Sequence, residues 1–455
     1  MMKKDTLLRK IFRWTGRIAL LCVLLLVVAF LVVFRGALYN RFVVFPRQAA
    51  AWEAIRAERA PVRLPYHIPW NHYRGAAHNH SELSHDSEVP FEYILEVLKA
   101  TDRDFIAMSD HCLPGGIADY GAQWRGLYDG KLFIPGYEMH YGFMPWGLDS
   151  DVVLDCSKDP AELAEEIEAL GGLLFIAHPE EPREWHLPQI RGMEIYNIHA
   201  DIKDESLRDL APDILLNFRA YPEQTIRLIF DRNTEMLEHW DTMNIERDIV
   251  GIAANDCHQN VGVYGIYTED GNLLVREASG KNEWDVNLNF FTRLLLRLAS
   301  GPLVPGEEAF RIQIDPYDLM IRYVSTYALA SELTEEAILD AFAEGRVYIG
   351  FDMVADSSEF IFLARGGSEQ VVMGEKKPLA PDTRLIAASP HHCRFTVLRH
   401  GVPVHQETGA IMEYQPTEPG KYRIEAELDI LGVWTPWVYT NPIELLGSAV
   451  VTESE

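Results

Sequence analysis

Five short clusters of His, Asp and Glu each close a short apolar run, and this recurrence limits the chain's folds more than any other feature. They are His78-Asn79-His80, Ser109-Asp110-His111, Gly136-Tyr137-Glu138, Ala177-His178-Pro179 and Asp256-Cys257-His258. A lone His-x-His means little, because alternate residues of any strand share a face. Five clusters at successive strand ends imply one architecture, a parallel sheet whose C-terminal edges converge. Imidazole and carboxylate are the ligands that a hydrolytic Zn, Mn or Fe centre takes.

The text between the clusters agrees. Phe105–Met108, Lys131–Ile134, Leu173–Ala177, Met193–Tyr196 and Ile249–Ala253 read as strands. FEYILEVLKA after Pro90, Ala161–Leu170 before Gly171-Gly172, Asp285–Ala299 and Leu333–Ala343 before Gly345 read as helices. Short apolar strands alternating with helices predict an α/β barrel. Beyond Val347 the pattern changes to VYIGF, EFIFLA, RLIAA, RFTVLR, YRIEAEL and WVYT, separated by Gly and Pro turns. That pattern predicts a small β-sandwich-like domain, either stabilising or binding a glycan or partner.

The N-terminus adds a second constraint. Ile18–Phe34 is an uncharged run of seventeen residues, IALLCVLLLVVAFLVVF. At 1.5 Å per residue it reaches roughly 25 Å, close to a short membrane span. It is longer than the apolar core of a cleaved signal and no A-x-A site follows, so a retained single-pass anchor is expected. Six basic residues and one acid precede it. The N-terminus should therefore face the cytoplasm and residues 35–455 the periplasm or cell exterior.

The remainder carries 35 basic against 67 acidic residues, a net charge of −32. A body so acidic repels polyanions, so nucleic acid is excluded as a partner. The partner these features point to is the membrane, through the N-terminal helix. The divisions are a basic N-terminus (1–17), the anchor (18–34), a helical neck acting as spacer (35–72), a barrel (73–345) and a β-rich region (346–455). The five cysteines give little support for a disulfide framework. Cys22 is in the anchor, Cys112 and Cys257 adjoin metal-site motifs, and Cys156 and Cys393 have no pairing signature.

RGAAHNHSELSHDS, AMSDH, PGYE, FIAHP, MEIYN and AANDCH occur in this order from Arg74 to His258. The series resembles the PHP superfamily, the metal-dependent phosphoesterases related to histidinol phosphatase and to polymerase-associated PHP domains. The C-terminal WTPWVYTNPI resembles, more loosely, the tails of extracytoplasmic members. The resemblance implies a distorted (β/α)7 barrel holding two or three divalent metal ions. It implies as ligands His78, His80, Asp86, His111, Glu138, His178, Asp256 and His258, with Glu138, Asp256 and His258 carrying catalysis around a metal-bridging hydroxide.

One position departs from the family. A Gly-His commonly follows the Glu, and here Gly142 precedes Phe143. His140 lies two residues from Glu138, on the same face if the strand continues, and is expected to supply the missing ligand. His85 competes with Asp86, and Asp110 should orient a ligand rather than bind metal. Asn197, with Glu194, should either line the pocket, Asn197 then binding substrate, or play a structural role; His199 and Asp201 stay open. Trp146, Arg183, Trp185 and His186 are expected on loops at the mouth, Arg183 binding the substrate anion. Cys257 should be buried and inert.

The expected function is hydrolysis of phosphate mono- or diesters at an extracytoplasmic site. The alternatives are hydrolysis of carbamate or amide-type bonds at the same site, and a non-catalytic envelope scaffold or sensor.

Overall fold

The computed structural model describes residues 2–204, 206–230, 232–280 and 282–447. It divides into two compact units, residues 1–53 with 204–230, and residues 54–203 with 231–455.

In the first unit a helix covers Met2–Val33. Its Trp14–Val33 stretch is long and apolar enough to cross a membrane, and its side chains are unburied. The chain continues through a short helix and a π turn into the helix Phe45–Ala57. The neck is packed, which corrects its reading as a spacer. Asn40 Nδ2 donates to Asp213 Oδ1 (3.0 Å), Asn217 Nδ2 donates to Ala37 O (3.0 Å), and the Phe45 ring meets Tyr221 at 5.8 Å. Past residue 54, Arg56 Nε donates to Val354 O and Ala60 N to Pro390 O. Polar and aromatic residues of the neck thus find partners far away in sequence, which local pattern cannot reveal.

The second unit is built on two groups of parallel strands. Asn71–Ala77, Phe105–Ala107 and Lys131–Ile134 pair in parallel. So do Leu173–Ile176, Ile190–Asn197 and Val250–Ala254. Phe105–Ala107 and Val250–Ala254 are apolar and buried throughout, and Lys131–Ile134 and Leu173–Ile176 are buried beyond their first residue, as expected of strands covered on both faces. Ala107, Ile134, Phe175, Ile252 and Ala328 share one core with Ile338 and Phe342 of the helix Glu335–Glu344. Side chains pass so closely there that Gly75 is obligatory: a Cβ would lie 2.0 Å from the Phe105 ring.

Backbone contacts join the two groups at the ends that carry the motifs. Asn255 N donates to Ala77 O, Asp256 N to His78 O and His80 N to Cys257 O, around a parallel bridge between Asn79 and Cys257. The motifs most distant in sequence are therefore neighbours.

Helices begin and end where local chemistry dictates. Asp159 caps Pro160–Ala169 by accepting from Ala161 N, and Gly345 ends Glu335–Glu344 in the left-handed conformation. The helix expected over Asp285–Ala299 is Phe290–Ser300, and Glu283–Val286 is a strand instead. That strand belongs to an unforeseen four-stranded antiparallel sheet with Gly262–Tyr267, Leu273–Glu277 and Glu308–Gln313.

Strands past residue 346 continue the main sheet. Val347–Gly350 pairs with Ser325–Ala330 on one side and with Val433–Thr440 on the other. Hydrogen bonding thus crosses the boundary expected at 345/346. RLIAA and RFTVLR belong to one strand, Arg384–Arg399. Residues 448–455 of the expected β-rich region lie outside the described residues.

Candidate metal centre

The motif residues converge. Side-chain ligand atoms lie within 4.8 Å of one another in four groups: His80, Asp86, His111, His258; His78, His178, Asp256; His78, His80, Glu138; and His199, Asp256, His258. All eight residues implied as ligands are present, and His199 joins them.

Glu138 lies among four imidazoles. Its Oε2 is 3.3 Å from His78 Nε2, 3.6 Å from His80 Nε2 and 3.4 Å from His111 Nδ1, while Oε1 is 3.5 Å from His178 Nε2. A carboxylate with its two oxygens toward different histidines can bridge two cations; an imidazole cannot. Asp256 has the same disposition, with Oδ1 3.4 Å from His78 Nε2 and 3.3 Å from His80 Nε2, and Oδ2 3.4 Å from His178 Nε2. Asp86 Oδ2 is 3.6 Å from both His111 Nε2 and His258 Nε2. His85 is exposed and meets the His111 ring at 4.8 Å, so Asp86 is the member of that pair inside the cluster.

The outward nitrogens of four histidines are held. His78 Nδ1 pairs with Glu194 Oε1. His80 Nδ1 meets Ser84 Oγ at 2.9 Å, His178 Nδ1 meets Glu180 Oε1 at 3.0 Å, and His258 Nδ1 meets the Asp256 carbonyl at 2.9 Å. An imidazole fixed this way presents Nε2 inward in one orientation, the usual support of a metal-binding histidine. Asp110 lies behind the cluster, outside the four groups. It accepts from Ser81 N, Ser81 Oγ, Ser84 Oγ and Gln123 Nε2, which fixes the serine behind His80.

The backbone is shaped for this convergence. His78, His178 and Asp256 have φ of 56°, 47° and 47°, each just past a strand end. A left-handed residue there turns its side chain across the sheet edge, at a cost on the order of 1–3 kcal/mol each.

Charges of both signs interleave. Burial opposes a proton on His78, yet Asp256, Glu194 and Glu138 hold its pKa well above the ordinary histidine range. His178 is likewise buried, but Glu180 and Asp256 raise it to about 9. Burial and the neighbouring His258 push His80 far down. Burial alone would raise Asp256 and Glu138; His78, with other imidazoles, brings both well below the carboxylate range. Divalent cations suit this donor set. Asp86 Oδ1 and Asp256 Oδ1 are buried without a hydrogen-bond partner among the described residues, and the Nε2 atoms of His78 and His80 face each other at 3.1 Å.

Several expectations differ from the geometry. The strand carrying Glu138 stops there and His140 begins a 3-10 turn, exposed and outside the four groups. The alternation that put His140 on the Glu138 face therefore does not continue. Arg183 is turned inward: Nε donates to Ala177 O at 3.0 Å and Nη2 pairs with Glu181 at 3.0 Å. Gly142, at φ +73°, is required beneath it, since a Cβ would come 2.4 Å from Arg183 Nε. Trp146 is not on a mouth loop but fully buried in the strand Phe143–Trp146, its Nε1 donating to Met108 O. Asn197 stands behind the cluster, with Nδ2 3.1 Å from Glu194 and 3.3 Å from Asp256. Cys257 is buried, and burial pushes its thiol far up.

Cys112 and Cys156 form a disulfide, which corrects the reading of the cysteines. It ties the residue after His111 to a segment 44 positions away, a proximity that only the fold creates. Glu194 was named as a pocket residue; its bond to His78 needed the Ile190–Asn197 strand set beside Val250–Ala254.

No family model matches the chain, and no curated protein does. Among solved structures, one similar chain is a two-domain protein from Bacteroides vulgatus ATCC 8482 containing a predicted PHP-like metal-dependent phosphoesterase. It is 14% identical, with a TM-score of 0.34, and the match covers 84% of this chain and 98% of that one.

Proposed function

We propose that this protein is a PHP-type, metal-dependent phosphoesterase, anchored in a membrane with its site on the extracytoplasmic side. The observation that carries the reading is the convergence of imidazoles and carboxylates around Glu138, with the far nitrogens of His78, His80, His178 and His258 already held. The bound group is two or three divalent ions (Zn, Mn or Fe), held by His78, His80, Asp86, His111, Glu138, His178, Asp256 and His258, with His199 joining Asp256 and His258.

Such cations, when bound, activate water and neutralise charge on a phosphoryl group. The chain's own residues do the positioning. Glu138 and Asp256 span the cluster, Glu194 and Ser84 keep His78 and His80 in register, and Asp86 draws His111 and His258 together. The dense carboxylates repel a free anion, so a phosphate ester is bound through the cations rather than the protein surface.

The Cys112–Cys156 disulfide favours the extracytoplasmic placement, because such bonds persist in oxidising compartments. A panel of aryl phosphates, phosphodiesters, carbamates and esters, run on the full chain after reconstitution with each metal, tests the reaction class. Turnover of phosphate esters that Glu138→Gln abolishes is expected. Turnover confined to carbamates would replace the reading with the amide-type hydrolase.

A further inference from the structure

The helix Phe290–Ser300, sequence FFTRLLLRLAS, has its apolar face outward. Phe290 is 75% exposed, Phe291 73%, Leu295 64% and Leu298 75%, with Leu294 also exposed. At 100° per residue these five occupy an arc of roughly 140°. Leu296 lies opposite the centre of that arc and packs inward, against the small core of Tyr267, Leu273, Leu303 and Ala309. Leu296 therefore packs the helix onto its own sheet, and the broad apolar face points directly away from it. Trp284 and Val286, on the strand Glu283–Val286, are exposed as well. Soluble surfaces rarely gather so many large apolar side chains without a partner.

The chemistry of the stretch favours a bilayer. About one residue in seven of this chain is Asp or Glu, yet residues 286–306 contain none and carry Arg293 and Arg297. Arg293 is pinned to Gly271 O at 2.6 Å, and Arg297, one turn on, is exposed along the border of the apolar arc. Aromatic and leucine side chains on one face, with arginine at the edge, are the composition of a helix lying in a membrane interface. A bilayer is also at hand if the Trp14–Val33 helix crosses one.

We propose that Phe290–Ser300 is a second membrane contact, which embeds its apolar face in the outer leaflet of the bilayer that the N-terminal helix spans. The proposal rests on the reading of that helix as an anchor. It makes the four-stranded sheet the part of the second unit that meets the membrane.

Spin-label depth measurement on the full chain tests this, in vesicles of phosphatidylcholine with a minor share of phosphatidylglycerol. Cys22 is exposed, while Cys257 and Cys393 are buried. The native chain thus reports from the anchor through Cys22. Phe291→Cys, Leu295→Cys, Leu298→Cys and Thr292→Cys, each combined with Cys22→Ser, report from the helix. All four sites are exposed, so the label displaces no core side chain. The expected result is oxygen contact exceeding that of a water-soluble nickel chelate at Cys22, 291, 295 and 298, with the order reversed at 292. A buried Cys22 with chelate-accessible 291, 295 and 298 would overturn the proposal and leave the anchor standing. Dipolar broadening between labels at 298 would overturn it in favour of a second copy. A chelate-accessible Cys22 would overturn the anchor and the proposal together.

Discussion

Glu194→Gln should weaken metal binding while leaving every proposed ligand in place. Glu194 is 1% exposed and accepts from three donors: His78 Nδ1, the His178 backbone N–H at 3.0 Å and Asn197 Nδ2 at 3.1 Å. Glutamine keeps the shape but has one acceptor oxygen. Its amide nitrogen must face a donor, and the charge that favours the inward-facing Nε2 lone pair of His78 is gone. Loss of a charge-assisted hydrogen bond costs about 1.5–3 kcal/mol. Removal of such a support typically lowers metal affinity by roughly 10–100-fold, about 1.4–2.7 kcal/mol. Competition against a graded series of chelators, at fixed pH on full-length protein, reads the change; the melting temperature reports folding. Unaltered affinity in a folded Glu194→Gln protein would refute the argument that Glu194 orients His78 for a cation.

The other predictions concern neighbouring features. His140→Ala should leave metal content unchanged and His199→Ala should lower it, by elemental analysis, because only His199 joins the converging groups. Loss of the disulfide in Cys112→Ser should cost about 4 kcal/mol, from the entropy of a loop of this length, read by chemical denaturation. Thiol titration of the unfolded wild type should count three free thiols. Burial raises Asp315 to about 7 against the opposing Gln313, Val261 and Asn260 donors. The folded state thus holds this proton more tightly than the unfolded chain. The stability it contributes is complete below about pH 4 and lost as pH rises to about 7, on the order of 4 kcal/mol at most. Asp315→Asn should remove that slope, so the difference between the two denaturation curves should change sharply over this interval.

Much of the cluster was legible because its residues sit at strand ends, where an apolar run stops and a polar cluster begins. Leu173–Ile176 into His178 and Val250–Ala254 into Asp256 are local patterns, and Gly345 marks a helix end by backbone freedom alone. What stayed hidden depends on contacts remote in sequence. Glu194 meets His78 across 116 positions, and Cys112 meets Cys156 across 44. His140 failed for a different reason: alternation holds only while a strand lasts, and this one ends at Glu138. In Asp285–Ala299, Val286 and Leu288 precede the helix on a strand and a connecting segment, and the helix begins only at Phe290, so periodicity blurred the start.

The most direct test of the account is the metal content of the full-length protein, purified in detergent without chelator and measured by elemental analysis against protein concentration. The account predicts two or three equivalents of Zn, Mn or Fe, reduced in Glu138→Gln. Fewer than one equivalent, persisting after incubation with each of these metals, would contradict it.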